Sequence, residues 1–163
     1  MNESGRRILL VALFSLVFFQ TGAHISQSFV NYPAWQFIDR HSFPAYHRTI
    51  SVGALLFLMV PRVVELILAM VALRFRPSAI QPWMIVLGIL LTLGGLLSTV
   101  FVQRPIHVQL ETIGNTPELL SLLRTTDWIR QALEILRAAL YLWMLSLVVS
   151  SPTDSAKHSG EMR

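Results

Sequence analysis

Apolar residues fall in four long blocks separated by shorter polar segments, not in the brief alternations of a soluble core. The blocks cover about 8–30, 50–73, 83–102 and 128–149. Each is long enough, at about 1.5 Å per helical residue, to cross a hydrocarbon layer about 30 Å thick. The pattern predicts an all-α fold, a transmembrane four-helix bundle forming one domain over 1–149. A polar tail, 150–163, is expected to be disordered. Pro77 and Pro82 mark the turn between the second and third spans, while Asn31 to Thr49 and Gln103 to Asp127 read as two long loops. Arg6 and Arg7 ahead of an apolar stretch and Thr21-Gly22-Ala23 also resemble a signal peptide, but apolar character continues to Val30, which favours a retained anchor.

Composition supports this reading. The 163 residues are 53% hydrophobic and only 13% charged, too little polar surface for a water-soluble domain. The mean hydropathy of +0.57 agrees. A net charge of +4 would suit nucleic acid, yet the arginines are scattered and form no basic stripe, so a lipid bilayer and not nucleic acid is the expected partner. With no cysteine, disulfides and thiolate chemistry are excluded. A cytoplasmic N-terminus puts Arg6, Arg7, Arg74, Arg76, Lys157 and Arg163 inside and Arg40, Arg48, Arg104 and Arg124 outside. Six against four predicts a multi-pass protein of the cell membrane with both termini cytoplasmic. Trp83 and Trp128 stand at expected span ends, where indole favours the headgroup level. No internal repeat is read.

Polar residues inside the spans carry the candidate chemistry, because ionisable groups at membrane depth face the bundle interior and find partners. Arg130, Glu134, Arg137 and Tyr141 follow spacings of four, three and four, one face of the fourth helix. Gln20, His24, Gln27 and Asn31 repeat that pattern on the first, and Gly88, Thr92, Gly95 and Thr99 form a small-residue strip on the third. The strip suits close packing within a bundle or between protomers of a homo-oligomer. Arg62 and Glu65 lie one turn apart beside Pro61, which removes a backbone donor and predicts a kink. Arg62, Arg130 and Arg137 against Glu65 and Glu134 leave one positive charge over. These groups read either as structural ion pairs or as a partly hydrated cavity opening outward, with Arg104, His107 and Trp128 at its mouth.

His24, His41, His47 and His107 all lie toward the outer side in this topology. None has the tight spacing of a metal or haem site, and Asp39, His41 and His47 read as solvated loop residues. No metal or other cofactor is expected.

From Gln103 the chain reads Gln-Arg-Pro-Ile-His-Val-Gln-Leu, then Thr-Asp-Trp-Ile-Arg, with Arg137 seven residues after Arg130. This resembles the second half of the anthrone-oxygenase-like family of small four-span membrane proteins, at Pro105, Trp128, Arg130 and Arg137. The family pattern has Asn where His107 stands. Phe43-Pro44-Ala45-Tyr46-His47-Arg48 and Pro61 extend the likeness into the first half. For members that act as oxygenases, the resemblance implies oxygen insertion into an electron-rich polycyclic aromatic without an obvious redox cofactor. Such chemistry requires a base, cationic donors for an oxyanion and a dry pocket.

On that reading His24 or His107 is the base, and Arg104, Arg130 and Arg137 hold the anion. Arg62, Glu65, Trp128, Glu134 and Tyr141 contact a hydrophobic small-molecule substrate. The alternatives are an accessory subunit binding a lipid, a quinone or another protein, and a small transporter that would assemble as an oligomer.

Overall fold

A computed structural model of the chain describes residues 3–150. Apart from Ser150, which ends a helix, the polar tail expected at 150–163 lies outside the described residues. Four helices carry the fold: α1 (Ser4–Phe37), α2 (Phe43–Phe75), α3 (Pro82–Ile113) and α4 (Pro117–Ser150), each long and apolar enough to cross a membrane. Consecutive helices pack side by side and α4 closes against α1, giving an antiparallel four-helix ring. Both ends of the described chain and the 76–81 connection lie at one end, here the terminal end. The 38–42 and 114–116 connections lie at the other, the far end.

The helices have 32 to 34 residues, about 50 Å at the helical rise, against a hydrocarbon layer of about 30 Å. The two long loops expected at 31–49 and 103–127 are therefore corrected. Apart from short turns, they are helical extensions of the spans. Their apolar residues recur every three or four positions instead of continuously, so they bury one stripe and expose polar side chains on the other. Tyr32, Trp35, Phe43, Ile106, Leu110, Leu119, Leu120 and Leu123 form the resulting far-end core.

A second apolar core fills the terminal end, with Leu13, Phe14, Val17, Ala69, Ala72, Ile85, Tyr141 and Met144. A polar layer lies between the two. On the outside, large apolar residues such as Ile67, Leu90, Leu97, Ile135 and Leu142 are exposed, a belt that lipid would solvate. Trp83 and Trp143 pack together at 5.8 Å near the terminal end.

Three helices are interrupted by a five-residue π-helical turn: Gln27–Asn31 in α1, Leu55–Met59 in α2 and Thr99–Gln103 in α3. A proline follows each by two residues, at Pro33, Pro61 and Pro105. A proline ring clashes with the carbonyl four residues back and offers no N–H, so a helix carrying one must widen or kink there. The residues four back are Phe29, Phe57 and Phe101, the centres of the three π turns, and all three are exposed. Phe-x-x-x-Pro is thus an internal repeat, where none was expected. α4 has no proline beyond its first, Pro117, and runs uninterrupted.

Small contacts tie the connections down. Asn115 Nδ2 donates to the Trp35 and Ile38 carbonyls at 2.6 and 2.8 Å, joining the two far-end turns. Gly114 has φ +84°, and a Cβ there would meet the Arg40 carbonyl oxygen at 2.8 Å, so glycine is required on both counts. Arg76 caps α2 by donating to the Leu73 and Ile80 carbonyls.

Candidate functional site

The predicted face of α4 is fully inward: Arg130, Glu134, Arg137 and Tyr141 are all buried. Arg137 Nη1 donates to Glu65 Oε1 at 3.1 Å, and Arg137 also pairs with Glu134. Arg62 completes the ring, with Nη2 at 2.5 Å from Glu134 Oε1 and Nη1 at 3.3 Å from Glu65 Oε2. Thr92 donates to Glu65 at 3.0 Å from α3, so three helices share one four-membered ion cluster. Two guanidiniums and two carboxylates satisfy one another there with little recourse to solvent.

His24 lies at the edge of this cluster, its Nε2 4.0 Å from Glu134 Oε1 and its buried Nδ1 without a hydrogen-bond partner among the described residues. Tyr141 closes the cluster toward the terminal end. Its ring packs edge-on against Phe14, and Gly88 gives it room, since a Cβ there would fall 2.7 Å from Tyr141 Cε2. Gly94 and Gly95 likewise face Leu133 and Glu134 of α4, so the small-residue strip packs within the bundle.

Arg130 belongs to a different group. Its Nη2 lies 2.5 Å from Asp127 Oδ1, and Asp127 is buried on α4 instead of ending a loop. The positive charge expected to be left over is therefore absent: Arg62, Arg130 and Arg137 meet Glu65, Glu134 and Asp127. Ser28 donates to Asp127, and Gln131 Nε2 reaches Ser28 Oγ at 2.5 Å and the His24 carbonyl at 3.2 Å.

Two residues of the expected mouth are exposed. Trp128 is 61% exposed and packs edge-on against Phe29 with ring centroids 5.8 Å apart. Arg104 is exposed on α3, one turn before His107. On α1, Gln20 and His24 are buried as expected, but Asn31 is exposed and bonds Gln27 at 2.8 Å. The π turn adds a residue to the helical repeat and advances the inward face, bringing Tyr32 where a regular helix would bring Asn31.

Tyr32 is the centre of the far-end group. Arg130 Nη2 donates to its hydroxyl at 3.1 Å, and His107 Nε2 lies 3.3 Å from the same oxygen. His107 Nδ1 is 2.9 Å from His47 Nε2, and His47 Nδ1 is 3.2 Å from Glu111 Oε1. His47, expected to be a solvated loop residue, is buried on α2 between the rings of Trp35 and Phe43. Two recesses open at the far end, and one of roughly 270 Å³ is lined by Tyr32, Gln36, Asn115, Leu120, Ser121 and Arg124.

No family model matches the chain, and no curated protein or solved structure matches it significantly. Among the described residues, no group of three His, Asp or Glu is placed to hold a metal ion.

Sequence reading missed Tyr32, His47, Glu111, Asp127, Ser28 and Gln131. One signal was present. Phe43, His47 and Ser51, like Gln103, His107 and Glu111, recur every four residues, a helical stripe hidden in segments too polar to read as spans.

Proposed function

We propose that the protein is a membrane enzyme of oxygenase type, acting at the far end of the bundle on a hydrophobic aromatic carbon acid that enters from the bilayer. On this reading it lies in the cell membrane with both termini cytoplasmic. The resemblance at Pro105, Trp128, Arg130 and Arg137 supports the reaction class. The observation that carries the reading is Tyr32: one buried hydroxyl held between a guanidinium at 3.1 Å and an imidazole at 3.3 Å, in a residue that also lines a recess. The Arg130 hydrogen bond offsets part of the cost of burying a phenolate, the form of Tyr32 that would act as base. The same Arg130 then faces the negative charge that develops on the substrate.

A methylene between two aromatic rings loses a proton to such a base, and the carbanion reacts with dioxygen. In the balanced change one methylene and one dioxygen become one ketone carbonyl and one water: both C–H bonds break, one oxygen atom joins the carbon and the other leaves with the two hydrogens. The carbon loses four electrons and dioxygen gains them. The Arg62, Glu65, Glu134 and Arg137 cluster is on this reading a lock that holds three helices in register.

A second reading, a non-catalytic membrane subunit or small transporter, is favoured by the closure of that cluster, whose four charges pair with one another. Oxygen uptake separates the two. Purified protein given anthrone is expected to consume one dioxygen per ketone formed. Tyr32→Phe is expected to lower the rate by a factor of roughly 10² to 10⁴. Leu90→Ala, on the exposed outer face of α3, should leave the rate unchanged. Uptake indistinguishable from a protein-free control would reject the enzyme reading.

A further inference from the structure

The far-end hydrogen bonds form a line, and its two ends fix the direction of every proton in it. Arg130 has donors only, so Tyr32 oxygen accepts at one end. The Glu111 carboxylate has acceptors only, so His47 Nδ1 carries hydrogen at the other. A neutral imidazole has one N–H, so His47 Nε2 is then a bare acceptor and must receive the Nδ1–H of His107 across 2.9 Å. His107 Nε2 is left bare and receives the Tyr32 O–H across 3.3 Å. Ser51 fits the same order: its hydroxyl donates to Glu111 at 3.1 Å and accepts from His47 Nδ1 at 3.2 Å. No link has two protons and none lacks one.

We infer that Tyr32, His107, His47 and Glu111 form a proton relay that carries the Tyr32 proton from the buried end of the site to water at the far end of the bundle. In one passage the Tyr32 O–H bond breaks and His107 Nε2–H forms. His107 Nδ1–H breaks as His47 Nε2–H forms, and His47 Nδ1–H breaks as Glu111 Oε1–H forms. One proton leaves the phenol, one arrives at the carboxyl, no electrons move, and reversing the hops restores the start. The phenolate stays beside Arg130, and Glu111, whose side chain is 29% exposed, exchanges the proton with solvent. The packing supports transfer over leakage: His47 is enclosed by Trp35, Phe43 and His107, so protons reach it through its two nitrogens.

This deepens the reading of Tyr32 as the base and rests on it for its role in turnover, but the proton order can be tested without any substrate. Nitrogen-15 NMR of the histidine-labelled full chain in micelles reads the tautomers, with His47→Asn and His107→Asn assigning the signals. The expected result is Nδ1–H with a bare, hydrogen-bonded Nε2 for both rings, and loss of the Nε2 hydrogen bond of His107 in Tyr32→Phe. Either ring protonated on Nε2 would overturn the relay. Glu111→Gln keeps an acceptor for His47 and so should keep both tautomers while removing the proton terminus. With anthrone, that variant is expected to lose at least tenfold in kcat with KM unchanged and to show a larger solvent isotope effect. An unchanged kcat and isotope effect would also overturn the relay. A wild-type protein without oxygen uptake would reject the oxygenase reading alone, and the tautomers would then decide the relay by themselves.

Discussion

Arg130 and Asp127 stand one turn apart on α4 and pair at 2.5 Å, and this pairing makes the interior of the bundle electrically neutral. Both side chains are buried, so neither has water to fall back on. Removing Asp127 leaves a guanidinium whose Nε already lacks a partner among the described residues. Asp127→Ala is therefore expected to destabilise the detergent-solubilised protein by about 3–5 kcal/mol. Replacing both residues together, Asp127→Leu with Arg130→Met, should cost less than the single change. Denaturant unfolding followed by circular dichroism checks this. A double variant no more stable than Asp127→Ala would show that the pair does not act as a unit.

Gly88 and Tyr141 make a second coupled pair. A methyl group at position 88 would lie 2.7 Å from Tyr141 Cε2 and 2.8 Å from its hydroxyl, while Phe14 holds the ring on another side. Gly88→Ala overpacks this contact and should lose about 1–3 kcal/mol. Tyr141→Leu, which shortens the opposing side chain, is expected to recover stability in the Gly88→Ala background. Melting temperatures of the two single variants and the double variant test the coupling. Additive losses would place the damage elsewhere.

The membrane spans were legible in the sequence because continuous apolar runs have one physical meaning in water, and the α4 stripe was legible because a regular helix keeps its phase from Arg130 to Tyr141. Both conditions fail at the far end. There the helices continue as amphipathic segments, so Leu119, Leu120 and Leu123 bury a stripe that a search for continuous apolarity passes over. Asp127 follows two threonines before an apolar run, the local pattern of a helix start, and only the extension to Pro117 places it mid-helix. The π turn before Pro33 then shifts the phase of α1, which is why Asn31 was expected inward and Tyr32 is found there. Phe29, Phe57 and Phe101, each four residues ahead of a proline, were the signal available in the sequence for all three π turns.

Asp39 gives a test of the far-end turn by acidity. Its exposed carboxylate accepts from the Ser42 backbone N–H at 3.0 Å and hydroxyl at 3.1 Å, and these bonds hold its carboxyl below the ordinary value of 3.8. A group with a depressed folded value supports the fold fully above its ordinary value, and that support fades as pH falls through the lowered one. Protection of the Ser42 amide, corrected for intrinsic exchange, is thus expected to hold at neutral pH and to fall below about pH 4. Asp39→Asn should abolish the pH dependence. Equal protection of Ser42 at both ends of that range would remove the turn from the account.

The position of the bilayer along the bundle decides whether Glu111 meets water, and α4 offers a ruler. Ser121 and Thr125 are exposed on its far extension, whereas Ile129 is exposed one turn further in, beyond Trp128. If Trp128 marks the headgroup level, residues before it stand in water and residues after it stand in lipid. The chain has no cysteine, so single cysteines can be read one at a time. An impermeant maleimide applied outside intact cells is expected to label Ser42→Cys, Ser121→Cys and Thr125→Cys, to spare Ile129→Cys, and to reach Ser78→Cys only after permeabilisation. Labelling of Ser78→Cys alone would reverse the orientation and send the relay's proton to the cytoplasm. Protection of Ser121→Cys from both sides would sink the far extension into lipid and leave Glu111 without its water.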